Sequence, residues 1–394
     1  MRDVYIIDAK RTPVGTFCGV FKDLDAVDLG VTVVKDILEK NNVPANSVDE
    51  LVFGNVLQGG QKQNVARQIA VKSGLPVSVP AMTINKVCGS GLKTVILGYQ
   101  SIALGENELV VAGGTESMTN GAFVSLNSRL GNKMGDISMY DTVLRDALTD
   151  AFEGVHMGIT AERIAEEKGF TREKLDRFSL SSQNKAQEAI ESGRFKDEIS
   201  PVSVPQRRKD PIIVDTDEYP KFNTTLEGLG KLRPAFKKDG VITAGNASGI
   251  NDGASAVILA SKEKVEELGL KPMARIVSTG KGGVNPETMG YGPIPATLDA
   301  LKRANLEIKD IDLIEANEAF AAQALAVMEE LNMEPEKVNV NGGSIAIGHP
   351  VGASGTRILT TLLHEMKKRE AKTGLATLCI GGGMGVSLIV ELCN

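Results

Sequence analysis

At 394 residues the chain is too long for one small hydrophobic core, and two or three domains are expected. A net charge of −6 excludes a broadly basic nucleic-acid surface and attraction to an anionic membrane, so an anionic ligand would need a local basic patch. The 42% hydrophobic and 24% charged content is ordinary for a globular protein, while 42 glycines and no Trp suit tightly packed α/β layers with many turns.

Met1 is followed by RDVYIIDAKRT, without an apolar signal region, which predicts a cytoplasmic protein. Its four cysteines, Cys18, Cys88, Cys379 and Cys393, have no metal-ligand spacing and are expected to be free thiols. In chain order, Val4–Ala9 reads as a buried strand, Val27–Lys40 as a helix and Leu51–Gly54 as a strand ending at Asn55. Asn64 is placed to cap a helix that stops at Gly74, with Pro76 just beyond. The turn around Cys88 leads into a helix carrying Leu92, Val95, Ile96, Tyr99, Ile102 and Ala103 at helical spacing. Leu109–Ala112 is a strand before Gly113-Gly114. The 119–249 stretch differs in texture, with charged helices such as Thr171–Ser192 and irregular Pro-rich pieces, and reads as an insertion over a site.

The last third repeats the order of the first. Ala274–Ser278 is a strand, Pro295–Ala304 a helix, Ile311–Ala316 a strand ending at Asn317, and a helix follows from Glu318 to Leu331. The Gly-rich turn NGGSIAIGHPVGASG leads into a helix with Ile358, Leu359, Leu362, Leu363 and Met366 on one face; strands Leu375–Ile380 and Val386–Glu391 close the chain. DELVFGN (Asp49–Asn55) matches IDLIEAN (Ile311–Asn317) at an offset of 262, and Ser90-Gly91 matches Ser354-Gly355 at 264. A near-constant offset indicates an internal duplication. The fold class is therefore α/β, with two duplicated halves packed together and their equivalent turns meeting at the junction. Strand–helix alternation predicts a largely parallel sheet covered on both faces. The halves are assigned to 1–118, with 250–270 returning to it, and to 271–394.

The duplication brings the Cys88 turn beside the His349 turn. Cys88 lies at a helix N-terminus, where unpaired N–H groups and the dipole favour a thiolate; a buried structural cysteine is the plainer alternative. His349, in GHPVG, has a backbone fixed by glycine and proline, as a general base requires, although a structural turn histidine fits as well. Cys379 ends a strand before Gly381-Gly382-Gly383, and Asn317 follows a strand, where it either caps a helix or donates to a developing oxyanion. His364, on an amphipathic helix, reads as structural or exposed.

VCGSG at Cys88, NEAFAAQALA at Asn317, GHPVGASG at His349 and CIGGGMG at Cys379 resemble the four signature motifs of the thiolase family, and the likeness covers essentially the whole chain, implying a thiolase-like fold of two duplicated α/β halves with mixed sheets and an inserted loop domain. HMG at His156–Gly158 and INKVCGSGLK more closely resemble its biosynthetic, short-chain branch. The resemblance implies that His349 deprotonates Cys88, which takes an acetyl group from acetyl-CoA. Cys379 then deprotonates a second acetyl-CoA, whose carbanion attacks the acetyl-enzyme to give acetoacetyl-CoA. One oxyanion would be stabilised by His349 and a water on Asn317, the other by the backbone N–H groups of Cys88 and Gly381. It further implies a homotetramer, CoA thioesters as substrates, and no metal or redox cofactor, with neither nucleic acid nor membrane as partner. Coenzyme A would lie over the insertion, against Ser248 and His156, with Met157 narrowing the acyl pocket and Leu148, Phe236, Ala319 and Phe320 lining the rest. Lys221 and Gly228 stand where relatives often place Arg and Ser near the nucleotide; a lysine meets phosphate as a point charge but lacks the planar fork. The Arg207-Arg208-Lys209 run reads as a solvated loop. A ketoacyl synthase-like condensing enzyme would use His or Asn in place of Cys379, and a Cys–His hydrolase has no use for a second cysteine.

Overall fold

The computed structural model describes residues 2–393. Its first half is built on strands β1 (Val4–Arg11), β2 (Glu50–Gly54), β3 (Ala81–Ile84), β4 (Leu109–Ser117) and β5 (Asn251–Ser261). The second half uses β6 (Ala274–Gly283), β7 (Leu313–Ala316), β8 (Thr373–Ile380) and β9 (Met384–Leu392). These strands hydrogen-bond in the order β7-β8-β9-β6-β1-β5-β4-β2-β3, with the short strand Gly15–Thr16 added to β5. The two half-sheets join through only two residue pairs, Tyr5 with Arg275 and Ile6 with Ala274.

The sheet is mixed, as the thiolase-like fold class implies, and not largely parallel as strand–helix alternation alone suggests. Parallel pairing is confined to β2 with β3 and β4, and to β7 with β8; the pairs running through β9, β6, β1, β5 and β4 are antiparallel. Strand–helix alternation correctly reads the βαβ crossovers but misses β5 and does not give the direction of β9, both of which return antiparallel beside the last crossover strand of their half. β5 also escapes the hydrophobic pattern because NDGAS opens it with small and polar residues that are nevertheless fully buried.

Helices α3 (Ser90–Leu104) and α8 (Ser354–Arg369) are the central layer. Leu92, Val95 and Ile102 of α3 and Ile358, Leu362 and Met366 of α8 share one core with strand residues from both halves, including Val110, Leu259, Leu378 and Leu388. The helix N-termini meet as the duplication requires. A Cβ on Gly91 would lie 2.8 Å from the Thr356 nitrogen, and one on Gly355 would lie 2.3 Å from the Leu92 nitrogen. Only glycine at both positions lets the backbones approach this closely. Outside the first half lie α1 (Ala26–Lys40) and α2 (Val65–Lys72); Asn64 caps α2, its side chain accepting from the Arg67 N–H at 3.0 Å. Outside the second lie α6 (Pro293–Ala304) and α7 (Ala321–Glu330).

Between β4 and β5 the chain forms α4 (Met157–Glu167), α5 (Arg172–Glu191) and a hairpin of Val202–Gln206 with Lys209–Val214, whose exposed turn is the basic run. Buried ion pairs fasten this region to the first half: Arg11 donates to Glu198 at 2.6 Å and to Asp217 at 2.7 Å. Among the described residues no helix is long and apolar enough to cross a membrane.

Candidate active site

Cys88 precedes α3 in a strained turn. Val87 has φ of +49°, the left-handed region that a β-branched residue enters only when its surroundings force it. The forcing contacts are local. The Asn85 side chain accepts from the Val87 N–H at 2.9 Å, while the Ser90 hydroxyl accepts from the Lys86 N–H at 2.8 Å and donates to the Val87 carbonyl at 2.7 Å.

The turn faces an apolar cavity of about 320 Å³ lined by Cys88, His349, Gly381, Met157 and His156, together with Leu148, Phe236, Ser248, Ala319 and Phe320. The sequence-predicted residues of three chain regions thus converge on one space. A Cβ on Gly381 would lie 3.5 Å from both the Met157 sulfur and Val87 Cγ1, so Met157 sits over the end where Cys88 and Gly381 meet. Leu148 reaches the wall on a π-helical turn, Val143–Leu148. His156 caps α4 by accepting from the Gly158 N–H at 3.0 Å and stacks on Phe236 at 4.5 Å; Phe236 meets Phe320 edge-on at 6.2 Å. Ser248 donates its backbone N–H to the Ala319 carbonyl at 2.9 Å, joining the insertion to the wall.

Lys221, Gly228, Asn317 and Cys379 are outside this lining, the last two wholly buried behind it. The Lys221 ammonium lies 5.3 Å from the ring of Tyr219, which is itself a lining residue, and Gly228 lies in an exposed short helix. Tyr219, Met289 and Ile250 are among the further wall residues and carried no sequence signal, since such residues in irregular segments have no period to read.

His349 is 6% exposed, and its Nδ1 lies 2.5 Å from the Ser354 hydroxyl. That hydroxyl donates to the Pro350 carbonyl at 2.8 Å, so Nδ1 must carry the proton and Nε2 keeps its lone pair. Burial, reinforced by the Arg357 charge, holds the imidazole's pKa down to about 4, so it is a neutral base at pH 7. Burial also pushes the Cys88 thiol up to about 11, although the N–H groups of Gly381 and Cys88 itself pull it down and Glu116 pushes it up. Desolvation thus outweighs the N–H groups that favour a thiolate at the helix start, and the net shift favours the thiol, as a cysteine that needs a base requires. Cys379, wholly buried at the end of β8, is raised further by burial and by its neighbour Cys88, so the two sulfurs are close enough to interact electrostatically.

Asn317 is 1% exposed, with its orientation set by a relay. Arg357, from α8, donates to the Ser344 hydroxyl at 2.9 Å, which donates to Asn317 Oδ1 at 2.6 Å; Asn317 Nδ2 is buried without a partner among the described residues. His364 is buried, not exposed, with Nε2 at 2.8 Å from the Ala9 carbonyl.

Two cysteines, a neutral histidine and a buried asparagine thus stand at strand ends and turns of a duplicated α/β scaffold, and Cys88 and His349 share one cavity. Residues 4–263 match the family model for the thiolase N-terminal domain and residues 270–392 that for the thiolase C-terminal domain. The chain is 57% identical over 388 residues to the acetyl-CoA acetyltransferase of Thiocystis violacea, covering 98% of each. Among solved structures it is similar to the Bacillus anthracis acetyl-CoA acetyltransferase (TM-score 0.98, 42% identity, 100% of this chain and 99% of that one). It is also similar to human mitochondrial 3-ketoacyl-CoA thiolase in complex with CoA (TM-score 0.96, 43% identity, 100% and 98% coverage). The chain belongs to the thiolase family, and it is an acyltransferase.

Proposed function

We propose that the chain is an acetyl-CoA C-acetyltransferase, which joins two molecules of acetyl-CoA into acetoacetyl-CoA with release of CoA and also runs the reverse thiolysis. The observation that carries this reading is the convergence of Cys88, His349 and Gly381 on one apolar cavity, with the buried Cys379, whose thiol is raised by burial and by Cys88, two residues before Gly381. His349 Nε2 takes the Cys88 proton as the sulfur attacks the thioester carbonyl. The backbone N–H groups of Cys88 and Gly381 receive the oxyanion; losing one such donor typically costs on the order of 10²–10³ in rate. Cys379, protonated at rest, gives its proton to the departing CoA sulfur and becomes the thiolate base for the second half.

A second acetyl-CoA then loses a methyl proton to Cys379. Its enolate oxygen is stabilised by the His349 imidazolium and by a water on the Asn317 amide, for which the unpartnered Nδ2 is suited. The carbanion attacks the acetyl carbonyl, and Cys88 leaves, recovering its proton from His349. Every step is a proton or acyl transfer, so the chemistry calls for no metal or redox cofactor. Ser248 and His156 would flank the CoA pantetheine, with Lys221 towards its phosphates.

The same reading places the enzyme in the cytoplasm as a homotetramer, with 119–249 as an inserted CoA-binding domain between halves 1–118, joined by 250–270, and 271–394. Exposed Leu130, Met134, Ile137 and Met139 between the paired segments Phe123–Val124 and Tyr140–Asp141 support subunit association. Light scattering of the purified protein tests the tetramer. Brief incubation with acetyl-CoA followed by intact-mass analysis and peptide mapping tests the chemistry. Acetyl label on Cys88, with acetoacetyl-CoA synthesis abolished in Cys379→Ala, is expected; an unlabelled Cys88 overturns the mechanism.

A further inference from the structure

The two halves carry two copies of the site framework, and only one copy is open. Strand register identifies the second. Cys379 lies opposite Gly385 and two residues beyond Thr377, which pairs with Ala316, the residue before Asn317. Glu116 lies opposite Gly253 and two residues beyond Gly114, which pairs with Gly54, the residue before Asn55. The helix-start match of Ser90-Gly91 with Ser354-Gly355 makes Gly352 the counterpart of Cys88. Gly352, Asn55 and Glu116 therefore occupy the places of Cys88, Asn317 and Cys379.

In this second copy the space is filled by a carboxylate. Glu116 is wholly buried and accepts from the Asn55 amide at 2.8 Å, the Gly352 N–H at 2.9 Å, the Val56 N–H at 3.0 Å and the Leu57 N–H at 3.1 Å. A Cβ on Gly352 would lie 2.7 Å from Glu116 Oε2 and 2.7 Å from the Thr115 carbonyl, so no side chain fits where Cys88 stands in the open copy. The Gly352 N–H belongs to the loop that carries His349, whereas the other three donors belong to the first half. The carboxylate is thus a latch across the junction.

We propose that Glu116 is a positioning residue of the acyl-transfer site, holding the His349 loop against the first half so that the imidazole is aimed at Cys88. The proposal rests on His349 being the base that activates Cys88. Burial raises the Glu116 carboxyl to about 7, against the pull of the Leu57, Val56 and Gly352 N–H groups and with a further push from Asp252, and its field in turn raises the Cys88 thiol.

The test uses Glu116→Gln and Glu116→Asp in the full chain. Gln keeps the shape, but its NH2 group confronts N–H donors, so it breaks part of the latch and removes the charge. Asp keeps the charge but withdraws it from the donors. Both variants are expected to lower kcat for condensation about 10- to 100-fold, as small misplacement of a catalytic group does, with KM for acetyl-CoA changed less than about twofold. Iodoacetamide alkylation of Cys88 should shift to lower pH in Glu116→Gln and stay near wild type in Glu116→Asp. A folded Gln variant with wild-type kcat overturns the proposal, as does a kcat loss that follows only the loss of folded protein. If the Gln variant does not fold, kcat of the Asp variant decides on the same criteria. His349→Asn retaining wild-type kcat would instead overturn the base assignment, whatever the Glu116 variants do.

Discussion

Ser344→Ala should damage catalysis through a residue that never touches substrate. Its hydroxyl is the middle of the relay from Arg357 to Asn317, with links of 2.9 and 2.6 Å. Removing it leaves Asn317 Oδ1 without its donor and takes away a side-chain hydrogen bond of Arg357, whose Nε and Nη1 have no hydrogen-bond partner among the described residues and whose ion pair with Glu315 is long at 3.8 Å. Each buried group left unsatisfied costs about 1–3 kcal/mol, more for a charged one, so stability should fall by roughly 4 kcal/mol. Complete loss of an oxyanion donor costs about 10²–10³ in rate; an Asn317 free to turn should lose part of that, about 10- to 100-fold in kcat. The assay is condensation kinetics with urea unfolding on Ser344→Ala, Asn317→Ala and the double variant. If Ser344 acts through Asn317, the double variant is no slower than Asn317→Ala alone. Additive losses in kcat, or a folded Ser344→Ala enzyme with wild-type kcat, would refute the relay.

Met157→Ala removes the side chain that sits over Gly381, and one methylene in such a pocket is worth about 1–3 kcal/mol of discrimination. The ratio of kcat/KM for thiolysis of 3-oxohexanoyl-CoA against acetoacetyl-CoA should rise at least about tenfold; an unchanged ratio removes Met157 from the pocket. The second expectation concerns pH. With the His349 pKa lowered to about 4, the rate of Cys88 acetylation in rapid-quench experiments should persist down to about pH 5 and fall below it, and a limb centred at 6.5 would contradict the assignment. The same shift stabilises the fold above pH 6.5. As pH falls from 6.5 to 4 the unfolded imidazole binds a proton that the folded one refuses, so a contribution of about 3 kcal/mol is lost over that window. His349→Asn should flatten this part of the stability profile.

What the sequence reveals and what it hides divide along physical lines. The Cys88 turn, the GHPVG turn and the repeated strand ends are local, written in glycine, proline and cap residues, and their spacing alone brings Cys88 towards His349. Helix α2, capped by Asn64, is legible for the same reason. The antiparallel return of β5 is hidden because its opening residues are small and polar yet buried in pairings with β1 and β4. Electrostatics is hidden too: the dipole argument at Cys88 is local and correct in sign, but desolvation depends on everything packed around the thiol, and it dominates.

Glu116, Ser344 and Arg357 belong to the hidden class, and Glu116 shows why most sharply. Its bond to Gly352 spans 236 positions, and no motif around it announces chemistry. Its meaning appears only when the two halves are compared strand by strand. A duplicated fold begins with two equivalent junction sites, and placing a reactive sulfur in both would leave each loop without an anchor. Here one copy carries the sulfurs, while the other fills the same space with a carboxylate that bonds to both halves. The fixed copy therefore supplies the rigidity on which the reactive copy depends, and a carboxylate suits the task because it satisfies four donors that a second thiol would leave bare.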